Sequence, residues 1–326
     1  MINIQWRNNK ETAKIVYSKG GQIKRKKVNK TVLTPHKRID DNDEYIKKCK
    51  DIYTQNHYYI KKLNIPTGLT LPYKINSNKE GVPFYDYDLA LKLLYYQDII
   101  DDGIDFPNYA YYDIETTSLD PKDGIVTSVV FIDKNNDVET FVNENGEKKL
   151  LNDLVKYCRK NKIMSLIGFN SKDFDDMYLK YRLSVNGLLG YFNPVMNCNI
   201  DVMKMCNKLF ISGSLASIAK QLGVIEKIEL ESNPIKLFYD GDLSTLVEYN
   251  IRDVEVTKAI CEKMDILSFC QALWELSWCD FRNLNANSRL NDCYFNKRLW
   301  EDNLMVSFVD LNYKGAFGGG FNYIKR

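Results

Sequence analysis

Histidine is nearly missing from this sequence. Its 326 residues contain two, His36 and His57, both in the N-terminal stretch. That scarcity argues against a histidine triad or a histidine general base. If the protein is an enzyme, carboxylates are expected to do the proton and metal chemistry. The eight cysteines, Cys49, Cys158, Cys198, Cys206, Cys261, Cys270, Cys279 and Cys293, include no C-x-x-C pair. With so little histidine beside them, a zinc site is not expected. Scattered cysteines in a chain of this length read as reduced, mostly buried thiols. No eighteen apolar residues run together, so no transmembrane helix is expected. The opening residues, MINIQWRNNK, are polar and basic and lack the apolar core of a secretory signal. The expected compartment is cytoplasmic, in a cell or an infected host. No repeat and no low-complexity tract is visible. Hydrophobic residues make up 44% and charged residues 27%, enough for ordinary buried cores.

The net charge of +2 conceals an asymmetry. Residues 1–80 carry 18 basic and 7 acidic side chains, the remainder 27 and 36. The basic peak is Lys24-Arg25-Lys26-Lys27, followed by Lys30, Lys37 and Arg38. It reads either as a solvated loop or exposed strand face, or as a surface for phosphates.

Periodicity divides the chain. Residues 1–105 begin with short alternating segments such as Thr31-Val32-Leu33, and the pattern predicts a helix near 43–63. Pro66, Gly68 and Pro72 mark loops, and a second helix is expected from Tyr87. From Tyr109 the pattern changes. Strands are expected at 109–114, 125–132, 138–142 and 163–169, with Asn135-Asn136-Asp137 as hairpin-turn chemistry. Helices are expected at 150–159, 174–185, 215–222 and 243–264, the third capped by Ser214 and stopped by Gly223. Strands alternating with helices predict an α/β module with a mixed sheet, preceded by a smaller α+β domain. Residues after 266 look largely helical, with Trp274, Trp278 and Trp300 as packing residues, before a glycine-rich tail.

Three acidic segments stand out. Asp113 and Glu115 are two apart on a strand, so both project from one face. Two carboxylates on a buried face are costly unless they bind a cation. Asp175 follows Asn170 and Phe174 where a strand turns into a helix. Tyr249 and Asp253 are four apart on one face of the long helix. Each alone has an ordinary explanation: a strand end, a helix cap, a solvated acid.

In this order, D-I-E-T-T, N-x-x-x-F-D and Y-x-x-x-D resemble the three exonuclease motifs of family B DNA polymerases, the DEDDy branch of the DnaQ-like, ribonuclease H-like 3′–5′ exonucleases. Ser214–Gly223 resembles the helix between the second and third motifs. Residues 82–115 are similar to the passage from the family's N-terminal domain, and Tyr313–Gly319 to its Y-x-G-G/A loop before the polymerase. The resemblance covers about residues 82–320. It implies an N-terminal domain at 1–105, an exonuclease domain at 106–290 and the start of a connection to an absent palm domain at 291–326. No D-x-x-S-L-Y-P-S segment or D-T-D turn follows, so this chain alone is expected not to synthesise DNA. A fragment, or the first piece of a split polymerase, is the expectation.

The resemblance also implies a mechanism. Two ions, Mg²⁺ or Mn²⁺, would be held by Asp113, Glu115, Asp175 and Asp253, the first by Asp113, Glu115 and Asp253, the second by Asp113 and Asp175. Tyr249 would orient the attacking water. Asn170, Phe174, Thr116, Tyr313 and Gly315 would contact the single-stranded 3′ end of a primer–template, and a polymerase-domain polypeptide would be the partner. Two other readings stay open: a non-catalytic scaffold that binds nucleic acid or a polymerase partner, and a freestanding nuclease for RNA or DNA.

Overall fold

The computed structural model describes residues 2–6, 12–19, 22–29, 31–36, 45–51, 55–64, 87–101, 106, 108–196, 199–230 and 232–305. The chain divides into two compact units. Met1–Asn3, Ile15–Lys26 and Asp98–Tyr294 form one; Ile4–Lys14, Lys27–Gln97 and Phe295–Arg326 form the other. The N-terminal elements are β1 (Ile2–Trp6), β2 (Thr12–Lys19), β3 (Gln22–Asn29), β4 (Thr31–His36), β5 (Tyr45–Asp51), β6 (His57–Asn64) and α1 (Tyr87–Asp101). Next come β7 (Tyr109–Thr116), β8 (Val126–Asp133), β9 (Val138–Val142), α2 (Glu147–Lys160), β10 (Ser165–Gly168), α3 (Asp175–Val185) and α4 (Leu189–Met196). They are followed by β11 (Ile200–Asp201), α5 (Val202–Lys208), α6 (Leu215–Leu222), α7 (Pro234–Asp240), α8 (Leu243–Lys263), α9 (Ile266–Ser277), α10 (Asn287–Glu301) and β12 (Leu304–Met305).

The helix expected near 43–63 is not formed. Those residues contain β5 and β6, an antiparallel pair with Cys49 opposite Tyr58 and Lys50 opposite His57. Cys49 and Ile60 are fully buried while Ile46 and Lys48 are exposed, which is strand rather than helix periodicity. Tyr and Ile are at home on a pleated surface, and pairing with distant residues overrides a loose local helical pattern. The sheet order is β12-β5-β6-β4, so Leu304 and Met305 return to lie parallel with β5. The basic run falls on β3, the edge of a separate sheet ordered β1-β2-β3, with Lys24, Arg25 and Lys27 exposed. Lysines on an edge strand discourage pairing with other chains. Lys30, Lys37 and Arg38 lie outside the described residues, as do Pro66, Gly68 and Pro72.

The five-stranded sheet has the order β11-β10-β7-β8-β9. Central β7 runs parallel to β10 and antiparallel to β8. Because a strand alternates its faces, Ala110, Tyr112 and Ile114 enter a core with Leu151 and Leu154 of α2 and Leu179 and Leu183 of α3. Tyr111, Asp113 and Glu115 take the opposite face. Helix α8 packs against β7 and β8. It starts at Asp242, whose carboxylate accepts from the Thr245 N–H at 3.3 Å. Its buried residues are Leu246, Asn250, Asp253, Val254, Val256, Thr257, Ile260 and Cys261. Asn250 and Asp253 are anomalies on that apolar stripe. The Asn250 amide donates to Ser128 Oγ on β8 at 2.7 Å and ties the helix to the sheet.

Helix α6 has the caps its sequence announces. Ser214 Oγ accepts from the Ser217 N–H, and Gly223 adopts a left-handed φ of 61°. Trp274 and Trp278 are buried, and Trp300 sits under the Lys47 ammonium at 4.7 Å. Apart from Cys198, which lies outside the described residues, the cysteines are free thiols, and all but Cys293 are buried. Among the described residues, no helix is long and apolar enough to cross a membrane.

Candidate metal and active site

Asp113 and Glu115 leave the same face of β7, and Asp253 on α8 meets them. One carboxylate oxygen from each lies within 4.8 Å of the others. Burial and crowding disfavour their charges. Desolvation, then the charges of Asp175, Glu115 and Asp253, hold the Asp113 carboxyl well above the usual range. Desolvation and the charge of Asp253 raise Glu115 to about 7. Asp253 is raised by burial, against the hydrogen bonds and charge that favour its ionised form.

Asp175 opens α3 and is 4% exposed. It stands outside the triad but is the strongest charge acting on Asp113. Its own carboxyl is held well above the ordinary range by burial, opposed by hydrogen bonds from its own N–H and that of Ile114. The four acids therefore form a triad and an adjoining pair that share Asp113.

The positive partner of this cluster is Lys227, in the segment between α6 and α7. Its ammonium lies 2.6 Å from Asp253 Oδ2 and donates to the Tyr249 hydroxyl at 3.2 Å. It also stands 5.2 Å from the centre of the Tyr249 ring. The other oxygen, Asp253 Oδ1, is buried with no hydrogen-bond partner among the described residues. A buried, unpartnered carboxylate oxygen facing two further carboxylates is an unmet demand for a cation. Lys227 was not anticipated: a single lysine in a loop carries no periodic or motif signal.

The remaining expected site residues are placed as follows. Asn170 occupies a left-handed position, φ 55°, and its N–H donates to Asp201 Oδ1 at 3.1 Å. Asp201 Oδ2 accepts from the Lys172 N–H at 3.1 Å, so this carboxylate pins the turn before Asp175. Phe174 is half-buried, 5.5 Å from the Tyr178 ring. Thr116 is 9% exposed, and its hydroxyl donates to the Ser118 carbonyl at 2.9 Å. Tyr313 and Gly315 lie outside the described residues.

Residues 110–265 match the sequence model of the RNase H superfamily. The mixed sheet with its flanking helices and the carboxylates on its central strand has the RNase H-like fold. The structure of the family B DNA polymerase from the hyperthermophilic archaeon Pyrobaculum calidifontis is similar to this chain, with a TM-score of 0.68 and 15% identity. The match covers 93% of this chain and 50% of that one, so this chain spans half the polymerase's length. At that identity the likeness is one of fold. No curated protein matches the sequence.

Proposed function

We propose that this chain is the N-terminal and exonuclease part of a family B DNA polymerase, and that residues 106–290 hydrolyse mismatched 3′ ends of DNA to release 5′-mononucleotides. The observation that carries the reading is the Asp113–Glu115–Asp253 triad, with its unpartnered Asp253 Oδ1, inside an RNase H superfamily domain. The match to half of a family B polymerase's fold supports the wider assignment, including a polymerase polypeptide as partner.

The donor set fits hard divalent cations, Mg²⁺ or Mn²⁺, because every ligand atom is a carboxylate oxygen. Asp113, Glu115 and Asp253 would hold one ion, and Asp113 with Asp175 a second. When bound, such ions supply a nucleophile at neutral pH and stabilise charge on the scissile phosphate and its leaving oxygen. The protein's own groups do the rest. Glu115, raised to about 7, keeps a proton near neutrality until a cation replaces it. Tyr249 takes a hydrogen bond from Lys227 and its own O–H favours ionised Asp253 in the metal-free protein; with a cation on Asp253, that O–H would orient the attacking water. Lys227 neutralises Asp253 in the metal-free protein and so competes with a cation for it. Asn170 and Phe174, in the turn pinned by Asp201, would position and wall a frayed single-stranded end.

A 3′-labelled single-stranded oligonucleotide tests this. Mononucleotide release in Mg²⁺ or Mn²⁺, with none in EDTA, is expected. Asp113→Ala with Glu115→Ala should abolish release. Undiminished hydrolysis in EDTA would remove the two-metal reading. DNA binding without hydrolysis in either metal would leave a nucleic-acid-binding scaffold in its place.

A further inference from the structure

Asp176, one residue after Asp175, does not belong to the acidic triad. Its Oδ1 accepts two short hydrogen bonds, from the Tyr112 hydroxyl at 2.6 Å and from Asn199 Nδ2 at 2.6 Å. Both donors are anchored. Tyr112 is 1% exposed on central β7, and its ring meets Phe131 edge-on at 6.2 Å between centroids. Asn199 is 2% exposed, and its Oδ1 accepts from the Leu166 N–H of β10 at 2.9 Å. Gly168, at the end of β10, completes the seat. A Cβ there would lie 2.8 Å from Tyr112 Cε1 and 2.7 Å from Ser171 Cβ.

The sequence positions of these partners give the arrangement its meaning. Tyr112 immediately precedes Asp113, and Asp176 immediately follows Asp175. The bond between them therefore joins the strand that carries one carboxylate to the helix start that carries the other. Without it, the first turn of α3 could shift relative to β7, and the spacing of Asp113 and Asp175 would shift with it. The triad takes its third member, Asp253, from α8, which this bond does not touch.

We infer that Asp176, clamped between Tyr112 and Asn199, is a positioning residue that sets the spacing of Asp113 and Asp175, and through it the affinity for the second cation. The inference rests on the metal-dependent reading of the site proposed above. Asp176 acts here as a hydrogen-bond acceptor, and its charge is not what holds the ion.

The test is Mn²⁺ binding without DNA, followed by calorimetric titration and by the electron paramagnetic resonance of free Mn²⁺. The proteins are the wild type and the variants Tyr112→Phe, Asp176→Ala and Asp176→Asn. The wild type should show two classes of site. Tyr112→Phe and Asp176→Ala should weaken one class roughly tenfold and leave the other in place, the usual scale for losing a group that supports a ligand. Asp176→Asn keeps an oxygen acceptor in the same position and should retain the wild-type Mn²⁺ affinities. Tyr112→Phe keeps the buried ring, so melting in EDTA should show a folded protein. If both classes are unchanged in Tyr112→Phe and Asp176→Ala, the inference is wrong. If Asp176→Asn is as weak as Asp176→Ala, Asp176 works through its charge and the positioning role is overturned. A wild type that binds no Mn²⁺ sinks the reading of the site and this inference with it. A wild type that binds two ions alongside unaffected variants sinks this inference alone.

Discussion

Replacing Glu115 with Gln gives the sharpest check on whether the triad is a cation seat or a set of partnered structural acids. In the folded, metal-free protein Glu115 titrates near 7 against an ordinary 4.5, through desolvation and the charge of Asp253. At about 1.4 kcal/mol per pH unit, that difference corresponds to roughly 3 kcal/mol. Partial exposure and screening reduce it to about 2 kcal/mol. The sign follows from linkage. Below pH 4.5 both the folded and the unfolded carboxyl hold a proton and nothing is lost. Between pH 4.5 and 7 the unfolded chain releases its proton first, so stability falls as pH rises and the full penalty is present above 7. Gln has no such penalty. In EDTA, Glu115→Gln should therefore match the wild type near pH 4 and exceed it by about 2 kcal/mol at pH 8, a rise in Tm of roughly 5 °C for a unit of this size. With saturating Mg²⁺ the order should reverse, because the wild type gains the free energy of cation binding and the variant loses a ligand. Calorimetric melts at the two pH values, with EDTA or Mg²⁺, supply all four comparisons. The reasoning fails if Glu115→Gln melts lower than the wild type at pH 8 in EDTA, since that is the behaviour of an acid whose removal orphans buried donors.

Three further outcomes are expected. Lys227→Met leaves Asp253 without its ammonium and should lower metal-free stability by about 1–3 kcal/mol, while enlarging the Tm gain on adding Mg²⁺; an unchanged gain would show that Lys227 does not compete for the cation site. Tyr249→Phe removes a water-orienting hydroxyl and no ligand, so single-strand hydrolysis should fall less than with Asp253→Ala, which removes a member of the triad; equal losses, measured as kcat at saturating Mg²⁺, would contradict those roles. Gly168→Ala places a methyl against Tyr112 and Ser171 at under 3 Å, and thermal melting should show a cost of about 1–3 kcal/mol from overpacking.

Local chemistry made much of this protein legible from its residues in order. Ser214 and Gly223 bound a helix because a hydroxyl cap and a left-handed glycine are local devices, and α6 is capped by both. The two-residue spacing of Asp113 and Glu115 placed them on one face, since strand alternation needs no knowledge of neighbours. The alternation of strands and helices between 109 and 264 was enough for the fold class. What depended on distant partners was not legible. Residues 45–64 pair as antiparallel strands because cross-strand contacts outweigh a loose helical pattern. Lys227 enters the acidic cluster only because its segment folds against Asp253 on α8, a proximity of residues 26 apart in sequence that no motif encodes. Asp175 and Asp176 look interchangeable in a string of letters. On a helix, however, successive side chains diverge by about 100°, so one carboxylate lies beside Asp113 while the next turns to Tyr112 and Asn199. Periodicity set which side chains share a face, and tertiary packing decided which charged groups meet across the faces, because those meetings are made between elements rather than within them.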